Sequence, residues 1–130
     1  MNIFVFIAGL LSFFAFLAHA FVGTKETLST KTEFADGTTE KNWYQAFTAW
    51  HLVTADLLLS SVLLLIISTT DFLGGKRTIA LIFALQFLFW TVFAFVTVFT
   101  TNGRKYFKHL YHWVFFLIVA GLLFYGLDRF

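Results

Sequence analysis

Residues 52–68 read LVTADLLLSSVLLLIIS, and this stretch decides the fold. Its Leu, Ile and Val residues follow one another without the period-2 polarity of a strand, which excludes a membrane β-barrel. Three other apolar stretches are also long enough to cross a hydrocarbon core, which requires about 20 helical residues. We predict spans at about residues 3–22, 44–68, 78–100 and 107–127.

The composition shows why lipid must surround these spans. The chain has 130 residues, of which 59% are hydrophobic and only 12% are charged, and it contains 20 Phe. A soluble protein of this size could not cover so much apolar surface. Cysteine is absent, which excludes disulfides and thiolate chemistry. A scattered net charge of +2 gives no reason to expect a nucleic-acid partner. We therefore predict a single transmembrane domain in a lipid bilayer.

The polar links between the spans predict the topology. The second link contains Gly74-Gly75 and is short, as is the third link at residues 101–108, so consecutive helices should be antiparallel neighbours. The first link, residues 24–42, has a turn signal at Asp36-Gly37 between Thr-rich segments that favour a short hairpin. We predict an all-α, up-down-up-down four-helix bundle.

The basic residues predict the orientation of the bundle. Cytoplasmic loops of membrane proteins carry an excess of Lys and Arg, and we therefore expect the first and third links in the cytoplasm and both termini outside. Six basic residues lie on the side of these links, namely Lys25, Lys31, Lys41, Arg104, Lys105 and Lys108, against Lys76, Arg77 and Arg129 on the other side.

The four histidines are the most informative polar residues. His19 lies near the end of span one, His51 near the beginning of span two, and His109 and His112 at the beginning of span four. The alternating topology therefore places all four at one side of the membrane. Imidazole is a common metal ligand and the usual axial ligand of haem. Haem b would use His19 with His51 or His112, with His109 a further candidate. A divalent metal would use His19, Glu26, His51 and His112. Ordinary hydrogen bonding near the interface and proton transfer are the remaining interpretations.

Helical spacing predicts which residues face the bundle interior. Small and polar residues that recur every three or four positions are typical of helix contacts in lipid. We expect three such stripes to face inward: Ala8, Ser12, Ala15, His19, Gly23 and Glu26 in span one; His51, Thr54, Leu58 and Ser61 in span two; and Gln86, Trp90, Thr97, Thr101 and Arg104 in span three.

Asp56 lies near the middle of span two. An ionised carboxylate at this depth costs several kcal/mol, so the group must be either paired or protonated. We expect its partner on another helix, with Gln86, Trp90 and His19 as candidates, and we expect Asp56 to be a proton-transfer residue.

Two short motifs carry a resemblance. Ala18-His19, followed by Gly23 and Lys25-Glu26, occurs together with the sequence WHLVT at residues 50–54. This pairing resembles small bacterial four-span membrane proteins. The resemblance implies a bacterial inner membrane and a joint role for His19, Glu26 and His51, but it supplies no activity.

Three functions fit these features. The first is an accessory or assembly subunit that packs against a larger membrane complex or against copies of itself. The second is a redox or metal protein with haem b or a divalent metal at the histidines. The third is a proton-coupled carrier or lipid-handling protein that uses Asp56. Hydrolase motifs such as Gly-x-Ser-x-Gly and HExxH are absent from the sequence, so enzymatic activity is not expected.

Overall fold

Four long helices make up the fold. The computed structural model describes residues 1–31, 36–101 and 112–130, and these residues contain no strand. Each helix is long and apolar enough to cross a membrane, which is compatible with an integral membrane protein and confirms the all-α four-helix fold. The helices are α1 (Ile3–Ser29), α2 (Gly37–Thr69), α3 (Lys76–Thr100) and α4 (His112–Arg129).

The helices on both sides of the first link extend beyond the predicted spans. α1 continues through a π-helical turn, Ala18–Gly23, into Thr24–Ser29, and α2 begins at Gly37 rather than near residue 44. The hairpin prediction is therefore wrong where the structure describes this link. Asp36 caps α2 instead, because its Oδ1 accepts a hydrogen bond from the backbone N–H of Thr39 at 2.7 Å. This bond holds the pKa of the Asp36 carboxyl below its ordinary value.

Asn2 joins three helix ends. Its side-chain oxygen accepts a hydrogen bond from the backbone N–H of Val5 at 3.4 Å and so caps α1. Its backbone N–H donates to the Ser68 carbonyl at 2.9 Å, and its side-chain amide donates to the Gly126 carbonyl at 2.8 Å. The start of α1 therefore meets the ends of α2 and α4, as an up-down topology requires. Asn2 is only 5% exposed, so these bonds lie inside the protein.

The helices associate as two pairs. α1 packs along α2, α3 packs along α4, and the two pairs meet mainly through α1 and α4. Consecutive neighbours were predicted throughout, but α2 touches α3 only slightly. Helices approach closely in lipid where small residues allow it. Gly9 of α1 packs on Leu65 of α2, and Gly126 of α4 packs on Val5 of α1, so α1 takes the central position.

The buried face of each helix differs in part from the predicted stripe. In α1 the prediction holds for the buried Ala8 and Ser12 and the half-buried His19, but Glu26 is exposed. In α3 the prediction holds for the half-buried Gln86 and for Trp90, which packs against Phe116 of α4. Large apolar groups carry most of the contact, since Phe87 packs against both Phe115 and Phe116. Of the other residues predicted for α3, Thr97 and Thr101 are exposed, and Arg104 lies outside the described residues. The buried residues of α3 are Ala80, Phe83, Ala84, Phe87, Thr91 and Val98. In the predicted stripe of α2, Ser61 is buried and Thr54 is half-buried, whereas His51 and Leu58 are exposed.

Buried serines satisfy their own hydroxyl groups. Ser12 donates to the Ala8 carbonyl at 2.9 Å, and Ser60 donates to the Leu57 carbonyl at 3.0 Å. Both serines are fully buried. A side chain that bonds back to its own helix leaves no polar atom unsatisfied in the core, and it is small enough to let helices approach.

Replacing Asn2 should destabilise the bundle. In Asn2→Ala the α1 cap and the bond to Gly126 are lost, and a buried carbonyl is left unsatisfied. We expect the free energy of unfolding to fall by about 1–3 kcal/mol. Thermal unfolding of the purified protein in detergent measures this loss. Asn42→Ala is the matched control because Asn42 is exposed on α2. Equal unfolding midpoints for the two variants would contradict the role of Asn2.

Candidate functional site

The site lies where the end of α1 meets the first half of α2. The imidazole of His19 stacks on the indole of Trp50, with ring centroids 3.7 Å apart and planes inclined by 10°. Both side chains are half-buried. Their helices therefore contact each other through two parallel rings, each of which also carries a polar nitrogen.

Two threonines complete a reciprocal set of hydrogen bonds. Nδ1 of His19 on α1 bonds to the Thr54 hydroxyl on α2 at 2.8 Å, and Nε1–H of Trp50 on α2 donates to the Thr24 hydroxyl on α1 at 3.2 Å. Each threonine donates its own hydrogen to a backbone carbonyl, Thr54 to Trp50 at 3.1 Å and Thr24 to His19 at 3.1 Å. We call His19, Thr24, Trp50 and Thr54 the ring lock.

The π-helical turn shapes the α1 side of the ring lock. In this wider turn the backbone N–H of Thr24 bonds to the carbonyl of His19, five residues earlier. Gly23 lies directly under the indole of Trp50, and a Cβ at this position would collide with ring atom Cζ2. The ring can occupy this place because the residue beneath it is glycine. Single π-helical turns within α-helices are frequent at functional sites.

The hydrogen bonds assign the tautomer of His19. A hydroxyl has one hydrogen, and that of Thr54 is donated to the Trp50 carbonyl, so Thr54 accepts from Nδ1–H of His19. Neutral imidazole then has its lone pair on Nε2. A histidine held in this way can accept a proton or a hydrogen bond at Nε2, or coordinate a metal there.

Two other histidines, His51 and His112, lie at the same end of the bundle but outside the ring lock. His51 is exposed, and its ring stands edge-on to Phe47 with centroids 4.6 Å apart. His112 is exposed at the start of α4. Both lie within electrostatic range of His19. His109, the fourth predicted member, lies outside the described residues.

The predicted metal ligands do not form a cage. Among the residues that the structure describes, no group of three or more His, Asp or Glu side chains is placed to hold a metal ion. Glu26 is exposed on the last turns of α1, beyond the ring lock. The π-turn and the stacking on Trp50 direct His19 toward α2, so the geometry provides one positioned imidazole.

Asp56 lies apart from the ring lock. It is exposed, and across residues 1–31, 36–101 and 112–130 it has no hydrogen bond or ion pair. The prediction that it pairs with His19, Gln86 or Trp90 is therefore wrong. The reason is its position on the helix: the adjacent Leu57 is buried, and one residue along a helix is a rotation of about 100°.

Sequence reasoning missed three of the groups that matter. Trp50 entered only as part of the WHLVT motif, and Thr24 and Asn2 were given no role. The signal for Asn2 was available, since Asn directly before an apolar helix is a favoured N-cap. The sequence spacing gave little indication of Trp50 and Thr24, because the hydrogen bond between them joins two different helices.

Replacing Thr54 should release the His19 ring. Thr54→Val keeps the shape of the side chain but removes the acceptor for Nδ1–H. We expect mixed tautomers of His19 and a fall of about 1–2 kcal/mol in the free energy of unfolding. Nitrogen NMR of protein labelled with ¹⁵N-histidine reports the tautomer directly. Thr48→Val is the control, because Thr48 is exposed on the same helix and bonds only to the Tyr44 carbonyl. A single unchanged Nδ1–H tautomer in Thr54→Val would refute the assignment.

A methyl group at Gly23 should displace Trp50. Gly23→Ala is expected to lower the unfolding midpoint, although Ala is the better helix former by about 0.5–1 kcal/mol. Gly121→Ala is the control, since a Cβ there has no neighbour within 4 Å. The two thermal unfolding curves should shift in opposite directions, and a stabilised Gly23→Ala would show that the indole does not occupy this place.

Comparison with known protein families, curated proteins and solved structures finds no match to this chain. The resemblance to small bacterial four-span proteins therefore stays a prediction.

Proposed function

We propose that the chain is an accessory or assembly subunit of a larger membrane complex, and that it binds its partner through the exposed side of α2 around Asp56. The observation that carries this proposal is a carboxylate that is exposed in the middle of an apolar span and unpaired among the described residues. An ionised carboxylate at this position requires a partner, and the residues that the structure describes do not provide one.

The depth of Asp56 makes the requirement strong. At 1.5 Å per residue, Asp56 lies about 20 Å from the C-terminal end of α2. The hydrocarbon core is about 30 Å thick, and Asp56 lies in the middle of the predicted span at residues 44–68. The carboxylate is therefore near the centre of the core. An ionised carboxylate there costs several kcal/mol, and polar residues inside membranes usually face other protein groups.

The basic residues of the described chain are all too far from Asp56 to pair with it. Lys76 pairs with Asp71 at 2.5 Å, and Arg77 lies 3.5 Å from Asp128, both at the membrane surface. The other described cations also lie at helix ends, namely Lys25, Lys31 and Lys41 at the ring-lock end and Arg129 at the opposite end. None of these described cations therefore pairs with Asp56, and we propose that its partner group belongs to another chain.

The other two functions receive less support from the geometry. A haem or metal centre needs several ligands, and the ring lock positions one imidazole. A proton-coupled carrier needs a route between Asp56 and the histidines, whereas Asp56 is exposed and His19 lies between α1 and α2. Assembly requires only the exposed carboxylate and the apolar surface around it.

We also propose a location for the subunit. The resemblance carried by the two histidine motifs supports the bacterial inner membrane. The excess of basic residues at the first and third links supports their placement in the cytoplasm, with both termini outside.

Replacing Asp56 should break the complex and leave the fold intact. We expect the tagged wild-type chain, extracted gently from its native membrane, to migrate as a complex larger than one copy in its micelle. In Asp56→Leu the assembled fraction should fall about tenfold, since one intramembrane polar contact is worth about 1–2 kcal/mol. Native gels or size-exclusion chromatography measure the fraction.

Two comparisons make this test specific. The thermal unfolding midpoint of Asp56→Leu should equal or exceed that of the wild type, because an unpaired carboxylate is removed. Asp71→Leu, at the exposed end of α2, should leave the complex unchanged. A wild-type chain that migrates as a single copy would refute the proposed function.

A further inference from the structure

We propose that the exposed side of α2 binds a second copy of this chain, so that two α2 helices pair about a two-fold axis along the membrane normal. This inference rests on the proposed function, because it names the partner of the surface around Asp56. The subunit would then enter its complex as a pair.

The exposed residues of α2 have the spacing of a helix-pairing seam. Gln45, Ala49, Leu52, Asp56 and Leu59 follow one another at alternating intervals of four and three residues, and all five are exposed. A repeat averaging 3.5 residues is the signature of two helices packed with a left-handed crossing. We call these five residues the α2 seam.

The first half of the α2 seam also borders a shallow depression that can receive side chains of a second helix. A surface depression of about 600 Å³ is lined by Lys41, Tyr44, Gln45, Thr48, Ala49 and Leu52. Ala49 lies within it, and a small residue lets a second backbone come close. Leu52 and Leu59, 65% and 54% exposed, provide apolar side chains that can interlock with those of a partner.

The polar groups of the α2 seam are complementary to themselves. A two-fold axis brings each residue opposite its own copy at the same depth, as an isologous interface requires. Two Asp56 carboxyls can share one proton, so that the protonated oxygen donates to the ionised one and only one charge remains. Two Gln45 amides can each donate to the carbonyl oxygen of the other.

A second copy satisfies both polar positions with one partner helix. Gln45 and Asp56 are separated by about 16 Å along α2, at 1.5 Å per residue. A partner protein of different sequence would need a hydrogen-bond donor opposite Asp56 and, at this same separation, an amide or hydroxyl group opposite Gln45. The α2 helix of another copy has the matching groups at that separation. Self-association therefore accounts for the whole seam.

Cysteine cross-linking tests the pairing, because the chain contains no native cysteine. Ala49→Cys and Leu52→Cys place thiols in the α2 seam, and Val62→Cys places one at an exposed position outside it. After oxidation in membranes, we expect the seam variants to give at least about fivefold more disulfide-linked dimer than Val62→Cys, as expected for residues on the packed side of a helix pair. Unfolding midpoints near that of the wild type show that each variant folds.

A charge exchange tests the Asp56 pair. Leu52→Cys combined with Asp56→Lys should form about tenfold less dimer with itself, because two ammonium groups would face each other in the membrane. Co-expression with a Leu52→Cys chain that retains Asp56 should restore the cross-link between the two different chains, since Lys then meets Asp.

The outcomes separate this inference from the proposed function. If seam variants cross-link no more than Val62→Cys while the native complex still depends on Asp56, the partner is another protein and the second-copy inference is overturned. If the wild type migrates as a single copy and no seam variant cross-links, both proposals fail. Seam-specific dimers that depend on Asp56 support the pairing.

Discussion

An apolar solvent offers no hydrogen bonds, so the polar atoms of a spanning helix must find partners inside the protein. This constraint explains most of the polar contacts in the bundle. Buried serines bond back to their own helices, and Asn2 satisfies carbonyls of α2 and α4. Among the described residues, no buried side-chain nitrogen or oxygen lacks a partner. Asp56 departs from the constraint, since it has no hydrogen bond or ion pair among the described residues, and this is the reason for proposing a binding surface around it.

α1 is held to α2 by polar contacts at both of its ends. Asn2 bonds to Ser68 at one end, and His19 and Trp50 stack at the other. Each ring of the ring lock has its N–H satisfied by a threonine of the opposite helix. This arrangement sets the register between two apolar helices, which packing alone specifies weakly. The same bonds hold His19 in one tautomer, so a contact that joins the two helices also places the lone pair of the imidazole on Nε2.

The sequence predicts the fold far better than the site. Hydropathy located all four helices, and the i+3 and i+4 spacing predicted the burial of Ser12 and Ser61. It failed for Asp56, which was expected to pair with a residue of another helix but is exposed. Trp50 was missed because its bond to Thr24 depends on the π-turn and on the separation of two helices, and neither follows from the periodicity of one chain segment.

The association of the helices as two pairs bears on how the chain is built into a membrane. Within each pair, α1 with α2 and α3 with α4, the two helices are consecutive in the sequence, so less chain entropy is lost when they meet than when α1 meets α4. Each pair can therefore form as soon as its second helix leaves the ribosome. The α1–α4 contact, which includes the bond from Asn2 to Gly126, joins residues 124 positions apart and can form only after α4 has been synthesised.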